Sequence, residues 1–119
     1  MKNSILNKIP KKLFSTEKEK LNFYRLGIFE GKAYELVEFF ENHIYPAHVH
    51  KHSESYIYCV IGKGIIILNG IKKPYKKGDY FYVRKRMSHG FEVKEQTLFL
   101  SINKPPIMNE NGEIDFEYS

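Results

Sequence analysis

The sequence predicts an all-β protein, a sandwich or barrel, and three observations carry that reading. From Asn22 onward, short runs rich in Tyr, Phe, Ile and Val recur, separated by clusters of Gly, Asn, Pro and Lys. Helical periodicity is almost absent. The chain is 42% hydrophobic and holds nine Tyr and nine Phe but no Trp, so a packed core is expected. Its 119 residues fit one domain, which at that size buries roughly two-thirds of its unfolded surface.

Strands are predicted over 23–29, 33–41, 43–50, 54–61, 64–69, 79–84, 89–94 and 96–102. The breaks are Glu30-Gly31-Lys32, Asn42, Lys51 to Ser53, Gly62-Lys63, Asn69-Gly70, Pro74 to Gly78, Lys85 to Ser88 and Lys94-Glu95. Asn69-Gly70 is the strongest hairpin signal, because both residues accept the positive φ of a type I′ turn. Residues 1–20 are Lys- and Glu-rich and read as a lead-in segment, where Thr16 and Glu19 have the pairing of a capping box and can open one helical turn. Residues 21–103 form the barrel. Residues 104–119 begin Lys-Pro-Pro and form a more polar tail, which wraps the barrel or adds an edge strand at Ile114 to Tyr118.

The formal net charge is +5, and Lys72, Lys73, Lys76, Lys77, Arg84, Lys85 and Arg86 lie close together. They straddle a turn around Pro74 and Gly78, where lysine solvates turns and blunts strand edges. No nucleic-acid motif accompanies them, so a nucleic-acid partner is not expected. Cys59 is the single cysteine and reads as a small buried hydrophobe in a reducing compartment. With no run of ~18 apolar residues and no signal-peptide pattern at the N-terminus, a cytoplasmic protein without a membrane partner is expected.

Histidine is where the pattern turns chemical. Four of the five histidines fall between His43 and His52. Alternate residues of a strand share a face, so His48 and His50 are neighbours about 6–7 Å apart at Cα. Two imidazoles so placed can converge on one ion at ~2.0–2.2 Å from each nitrogen. His89, after a loop and at the start of a strand, supplies a third nitrogen if the sheet curls into a barrel. His52 continues the series, and Glu54 offers a carboxylate.

These two segments resemble the paired motifs of the cupin superfamily. The first has the form G-x5-H-x-H-x3,4-E-x6-G, and here reads Asn42, five residues, His48-Val49-His50, then Glu54 or Ser55, then Gly62. The second has the form G-x5-P-x-G-x2-H-x3-N, and reads Gly78, five residues, Arg84, one residue, Arg86, two residues, His89, three residues, Val93. Pro46 fits the context of the first motif. The departures are Asn42 for the first glycine, Arg84 and Arg86 for proline and glycine, and Val93 for asparagine. Glu54 keeps the spacing from His50, whereas Ser55 holds the glutamate position counted back from Gly62. A one-residue shift reverses the face, so the two registers are alternatives. Tyr58 favours the Ser55 register, while ligand chemistry favours Glu54.

The resemblance implies a double-stranded β-helix, or jelly-roll, barrel. It also implies one divalent transition metal ion held by His48, His50, His89 and Glu54, with Fe, Mn, Ni, Zn, Co and Cu all suited to such donors. The implied activity is that of an enzyme on a small polar molecule, a sugar or related acid, by isomerase, epimerase, lyase or dioxygenase chemistry. The alternative is a small-molecule-binding cupin without turnover. His52 and Tyr58 are the candidate catalytic residues, with His52 either a pocket acid/base or an exposed side chain. Arg84 and Arg86 can grip a substrate carboxylate or phosphate, and Tyr56 is a candidate substrate wall. Of Tyr56, Tyr58, Tyr80, Phe81, Tyr82 and Phe91, alternation sends half inward. The resemblance further implies a homodimer, with the lead-in segment crossing between subunits.

Overall fold

Two long strands that accompany each other for their whole length organise the chain. The computed structural model describes residues 12–16 and 20–119, and among these it forms nine strands and no helix. They are β1 Lys12–Thr16, β2 Leu21–Phe29, β3 Lys32–Phe39, β4 His43–Val49, β5 Glu54–Leu68, β6 Ile71–Lys76, β7 Tyr80–Val83, β8 His89–Lys104 and β9 Glu117–Tyr118. β5 runs antiparallel to β8 from Glu54 opposite Lys104 to Leu68 opposite His89. The second half of β8 pairs with β3, and its first half pairs with β4. Two sheets result, β1-β2-β3-β8-β5-β7 and β9-β4-β8-β5-β6, sharing the long strands. This is the all-β fold that the strand pattern predicts, in the jelly-roll, or double-stranded β-helix, form that the resemblance implies.

The predicted breaks at Gly62-Lys63 and Lys94-Glu95 are bulges within β5 and β8, not strand ends. The register slips between Cys59 and Gly64 while pairing continues on either side, and such bulges bend a strand without ending it. Gly62 sits there at φ 102, and a Cβ on it would fall 2.4 Å from Thr97 Oγ1. Two predicted strands are therefore merged at each bend. β6 occupies residues read as a turn. It pairs with β5 alone, and an edge strand tolerates Pro74 and three lysines whose side chains face water. Ser15 and Thr16 lie at the end of β1, their backbone paired to Asn22 and Leu21, and the helical turn expected to follow Thr16 falls on the next three residues. Glu17, Lys18 and Glu19 lie outside the described residues. The Asn69-Gly70 hairpin forms as expected, with φ of 47 and 81 and Leu68 opposite Ile71.

Aromatic rings fill the space between the sheets. Phe39 stacks on Tyr45 at 4.0 Å and meets Phe91 at 5.1 Å, while Phe91 and Phe99 lie 5.1 Å apart. Ile57, Ile66, Val83 and Val93 complete this buried cluster. Cys59 belongs to it. Its thiol approaches the Ile61 and Gly62 carbonyls at the bend, and burial pushes it up to about 11.

One part of the interior is polar. The Glu35 carboxylate is fully buried and pairs with Arg25 at 3.0 Å. Asn103 donates to its other oxygen at 2.8 Å, and Ser55 and Ser101 donate in turn to Asn103 Oδ1. Every member has a partner, which is the condition for burying charge at all. No helix among the described residues is long and apolar enough to cross a membrane.

Removing one partner of a buried pair strands the other. Glu35→Ala is therefore expected to lower unfolding free energy by about 3–5 kcal/mol. Lys63→Ala, which breaks the exposed pair with Glu95, should cost no more than about 1 kcal/mol. Urea unfolding of both variants beside the parent checks the contrast.

Candidate metal centre

Three imidazoles meet where β4 lies against the start of β8. Strict alternation from the buried Tyr45 would turn His48 outward. A bulge prevents this: Tyr45 is opposite Phe91 and His48 is opposite His89, so β4 has one residue more than β8 between the same two positions. Pro46, with no amide to leave unpaired, sits within it. The bulge presses on β8 at Gly90, where a Cβ would come within 2.9 Å of the Tyr45 carbonyl oxygen and 3.1 Å of Ala47. Tyr45, His48 and His50 consequently share the inner side with His89.

The ring of His48 is 4.1 Å from that of His89 and 5.1 Å from that of His50, and His50 and His89 are 5.0 Å apart. One nitrogen of each lies within 4.8 Å of the other two. The Nδ1 nitrogens are spoken for. His48 Nδ1 faces the Pro46 carbonyl at 3.1 Å, His89 Nδ1 faces that of Met87 at 3.0 Å, and His50 Nδ1 faces that of Asp115 at 2.6 Å. A carbonyl oxygen only accepts, so each Nδ1 carries the proton and each Nε2 keeps its lone pair. Second contacts of this kind orient metal-binding histidines, and the donor set fits a divalent transition ion.

Burial keeps these rings neutral. It pulls His48 down to about 4 and His89 down to about 3, helped by the neighbouring imidazoles, and it lowers His50 as well.

The other expected site residues are placed elsewhere. Ser55 points inward to Asn103, whereas Glu54 accepts a hydrogen bond from the Tyr82 hydroxyl at 2.8 Å on the outer face. Glu54 is not in the cluster; the Ser55 register is the one formed. Tyr56 and Tyr58 alternate outward with it, stacked on Tyr82 at 4.8 Å and Tyr80 at 5.6 Å. His52 is exposed beyond the end of β4. Arg84 extends the outer row beside Tyr82. The Arg86 side chain is also exposed, although its amide donates to the His50 carbonyl at 2.6 Å. Arg86 holds φ 65 where the motif has glycine. Of the six aromatics expected to divide between faces, Phe91 is buried, Phe81 is half-buried and the four tyrosines are exposed.

Two neighbours of the cluster carry no signal in the sequence. Phe116 stacks on His48 at 4.5 Å, and Asp115 supplies the carbonyl facing His50. Both reach the site from the C-terminal tail, across a sequence separation that no local pattern marks.

A family model described as Cupin domain matches residues 36–103. The chain belongs to the cupin family. No curated protein sequence matches it. Among solved structures, this cupin is similar to KdgF from Halomonas sp., with TM-score 0.71 and 17% identity over 82% of this chain and 87% of that one. It is similar to ectoine synthase from P. lautus, with TM-score 0.71 and 18% identity over 87% and 77%. It is also similar to salicylate 1,2-dioxygenase from Pseudoaminobacter salicylatoxidans, in an adduct with gentisate, with TM-score 0.74 and 15% identity. That match covers 89% of this cupin but 31% of the dioxygenase.

Two measurements probe the site. The unfolded chain's imidazoles titrate near 6.5 and bind more protons than the folded cupin's in mild acid. The metal-free protein should therefore hold its full stability above about pH 6.5 and lose it as the pH falls toward 4. The expected loss at pH 5 is on the order of 2 kcal/mol for each of His48 and His89. Denaturant midpoints that stay flat from pH 7 to pH 5 would contradict this. Gly90→Ala should cost about 1–3 kcal/mol by overpacking against β4, and heteronuclear spectra should show the His48 ring shifting with it.

Proposed function

We propose that this cupin is a metal-dependent enzyme acting on a small polar molecule, a sugar or related acid, by isomerase, epimerase, lyase or dioxygenase chemistry. One observation carries the reading. Three neutral imidazoles, two buried and one half-buried, each spend Nδ1 on a main-chain carbonyl, and each offers a nitrogen within 4.8 Å of the other two. Three such donors leave coordination positions open for a ligand, and Fe, Mn, Ni, Zn, Co and Cu all suit them. Bound there, the ion supplies Lewis-acid polarisation of a substrate oxygen, or a bound water of lowered pKa. The chain's own share is to keep the donors unprotonated and oriented, and to wall the site with the rings of Phe91 and Phe116. Similar folds named as a dioxygenase in an adduct with gentisate and as an ectoine synthase support a small-molecule ligand. A cytoplasmic homodimer belongs to the same reading, and light scattering tests its assembly.

A second reading is a small-molecule-binding cupin without turnover. Tyr58, one of the two side chains expected to move protons, stacks on Tyr80 on the outer face, which favours it.

Purified protein equilibrated with each ion in turn is expected to hold near one equivalent of a transition metal, and His89→Ala should lose it. Chelation should lower the melting temperature, since an ion at a thousandfold excess over its Kd adds about 4 kcal/mol. The metal-loaded protein is then incubated with a panel of sugars and sugar acids. Turnover lost in His89→Ala supports the enzyme, and a compound bound but recovered unchanged supports the binder. Absence of both metal and any chelator effect would end the enzyme reading.

A further inference from the structure

We propose that the C-terminal segment from Pro105 to Ser119 is a working layer of the metal centre, with Asp115 the positioning residue for His50 and Phe116 the wall over the imidazole cluster. The proposal rests on the metal reading above, and it starts from an asymmetry among the three histidines.

His48 and His89 are oriented locally, by carbonyls two residues upstream on their own chain segments. His50 has no such partner. Its Nδ1 proton goes to the Asp115 carbonyl, 65 residues away. Without that contact nothing selects the tautomer that leaves Nε2 free, and a ring that divides between tautomers is a ligand for only part of the time.

Asp115 is gripped for this task. Its carboxylate accepts three successive amides just beyond His50: Lys51 at 2.8 Å on Oδ1, then His52 at 2.8 Å and Ser53 at 2.9 Å on Oδ2. Carbonyl and carboxylate of one residue thus hold the ring and the backbone that follows it. The next residue, Phe116, lays its ring on His48 at an interplanar angle of 25° and stands 6.3 Å from that of His50. Beyond it, β9 pairs with His48 and Val49, and the Ser119 amide donates to the Ala47 carbonyl. The other end of the segment is tied down by Arg25, which donates to the Met108 carbonyl at 2.8 Å. A tail docked for stability alone would spend its large ring on the apolar core. Phe116 spends it on imidazole and stays 42% exposed, lying between solvent and the cluster.

The test uses the full chain carrying ¹⁵N-histidine. Asp115→Ala keeps the main-chain carbonyl but removes the carboxylate that fixes it against the Lys51, His52 and Ser53 amides. In the metal-free variant the His50 nitrogens should therefore move from the pure Nδ1–H pattern toward mixed tautomers, while those of His48 and His89 stay. Affinity for Zn²⁺, Mn²⁺ or Fe²⁺ should fall about 10–100-fold, as for other losses of a contact that orients a ligand. Asp115→Asn, which retains an acceptor oxygen, should recover part of both. Phe116→Ala should leave the His50 tautomer alone and speed extraction of the bound ion by EDTA several-fold. An unchanged His50 spectrum with unchanged affinity in Asp115→Ala would overturn the positioning role, and unchanged extraction in Phe116→Ala would overturn the wall. A parent protein that binds none of Fe, Mn, Ni, Zn, Co and Cu would end the metal reading. The tautomer shift in Asp115→Ala would still decide whether the tail sets the His50 ring.

Discussion

β5 and β8 stay hydrogen-bonded to each other through a change of sheet, and almost everything else in the fold follows from that. Each strand begins in one sheet and finishes in the other, and both bend together where Gly62 lies against Thr97. Because the two bend as one ladder, the sheets face each other without the long strands becoming free edges. The aromatic cluster of Phe39, Phe91 and Phe99 then joins residues from both sheets. Bulges concentrate the curvature in a few residues, which leaves the flanking stretches regular enough to hold side chains in register.

The histidines depend on a smaller device of the same kind. One extra residue in β4 sets whether His48 joins His89 or faces water, and the missing side chain at Gly90 leaves room for it. Burial then penalises the charged form of each ring, and carbonyl partners choose the tautomer. Two of those partners are local and one is distant. A site assembled this way is inseparable from the path of the tail, since the sequence places Asp115 far from every other group it serves.

How much of this could be read from residues alone varies with the range of the interaction. The pair His48 and His50 was legible because alternation is a property of the strand itself, and His89 was legible through motif spacing. The Asn69-Gly70 hairpin followed from two adjacent residues. The choice between Glu54 and Ser55 was not legible, since both parities satisfy some count. It is decided by Ser55 reaching Asn103 while Glu54 reaches Tyr82. β6 was hidden by its lysines and Pro74, because an edge strand buries little, here Tyr75 alone. The predicted breaks at Gly62 and Lys94 misjudged glycine and charge as strand ends when they mark bends. Asp115 and Phe116 had no signal to find, as their partners lie on β4 and in the loop after it.

Cys59 lies in the elbow where the long strands bend. Its sulfur is buried at 3% exposure, and the proton is held far more tightly than on a free thiol. A thiol so placed is silent toward alkylating reagents while the elbow is shut, because reaction requires an accessible thiolate. Its labelling rate is therefore a clock for local opening at that one point. The chain carries its own gauge of how often its two shared strands come apart, with no other cysteine to blur the reading.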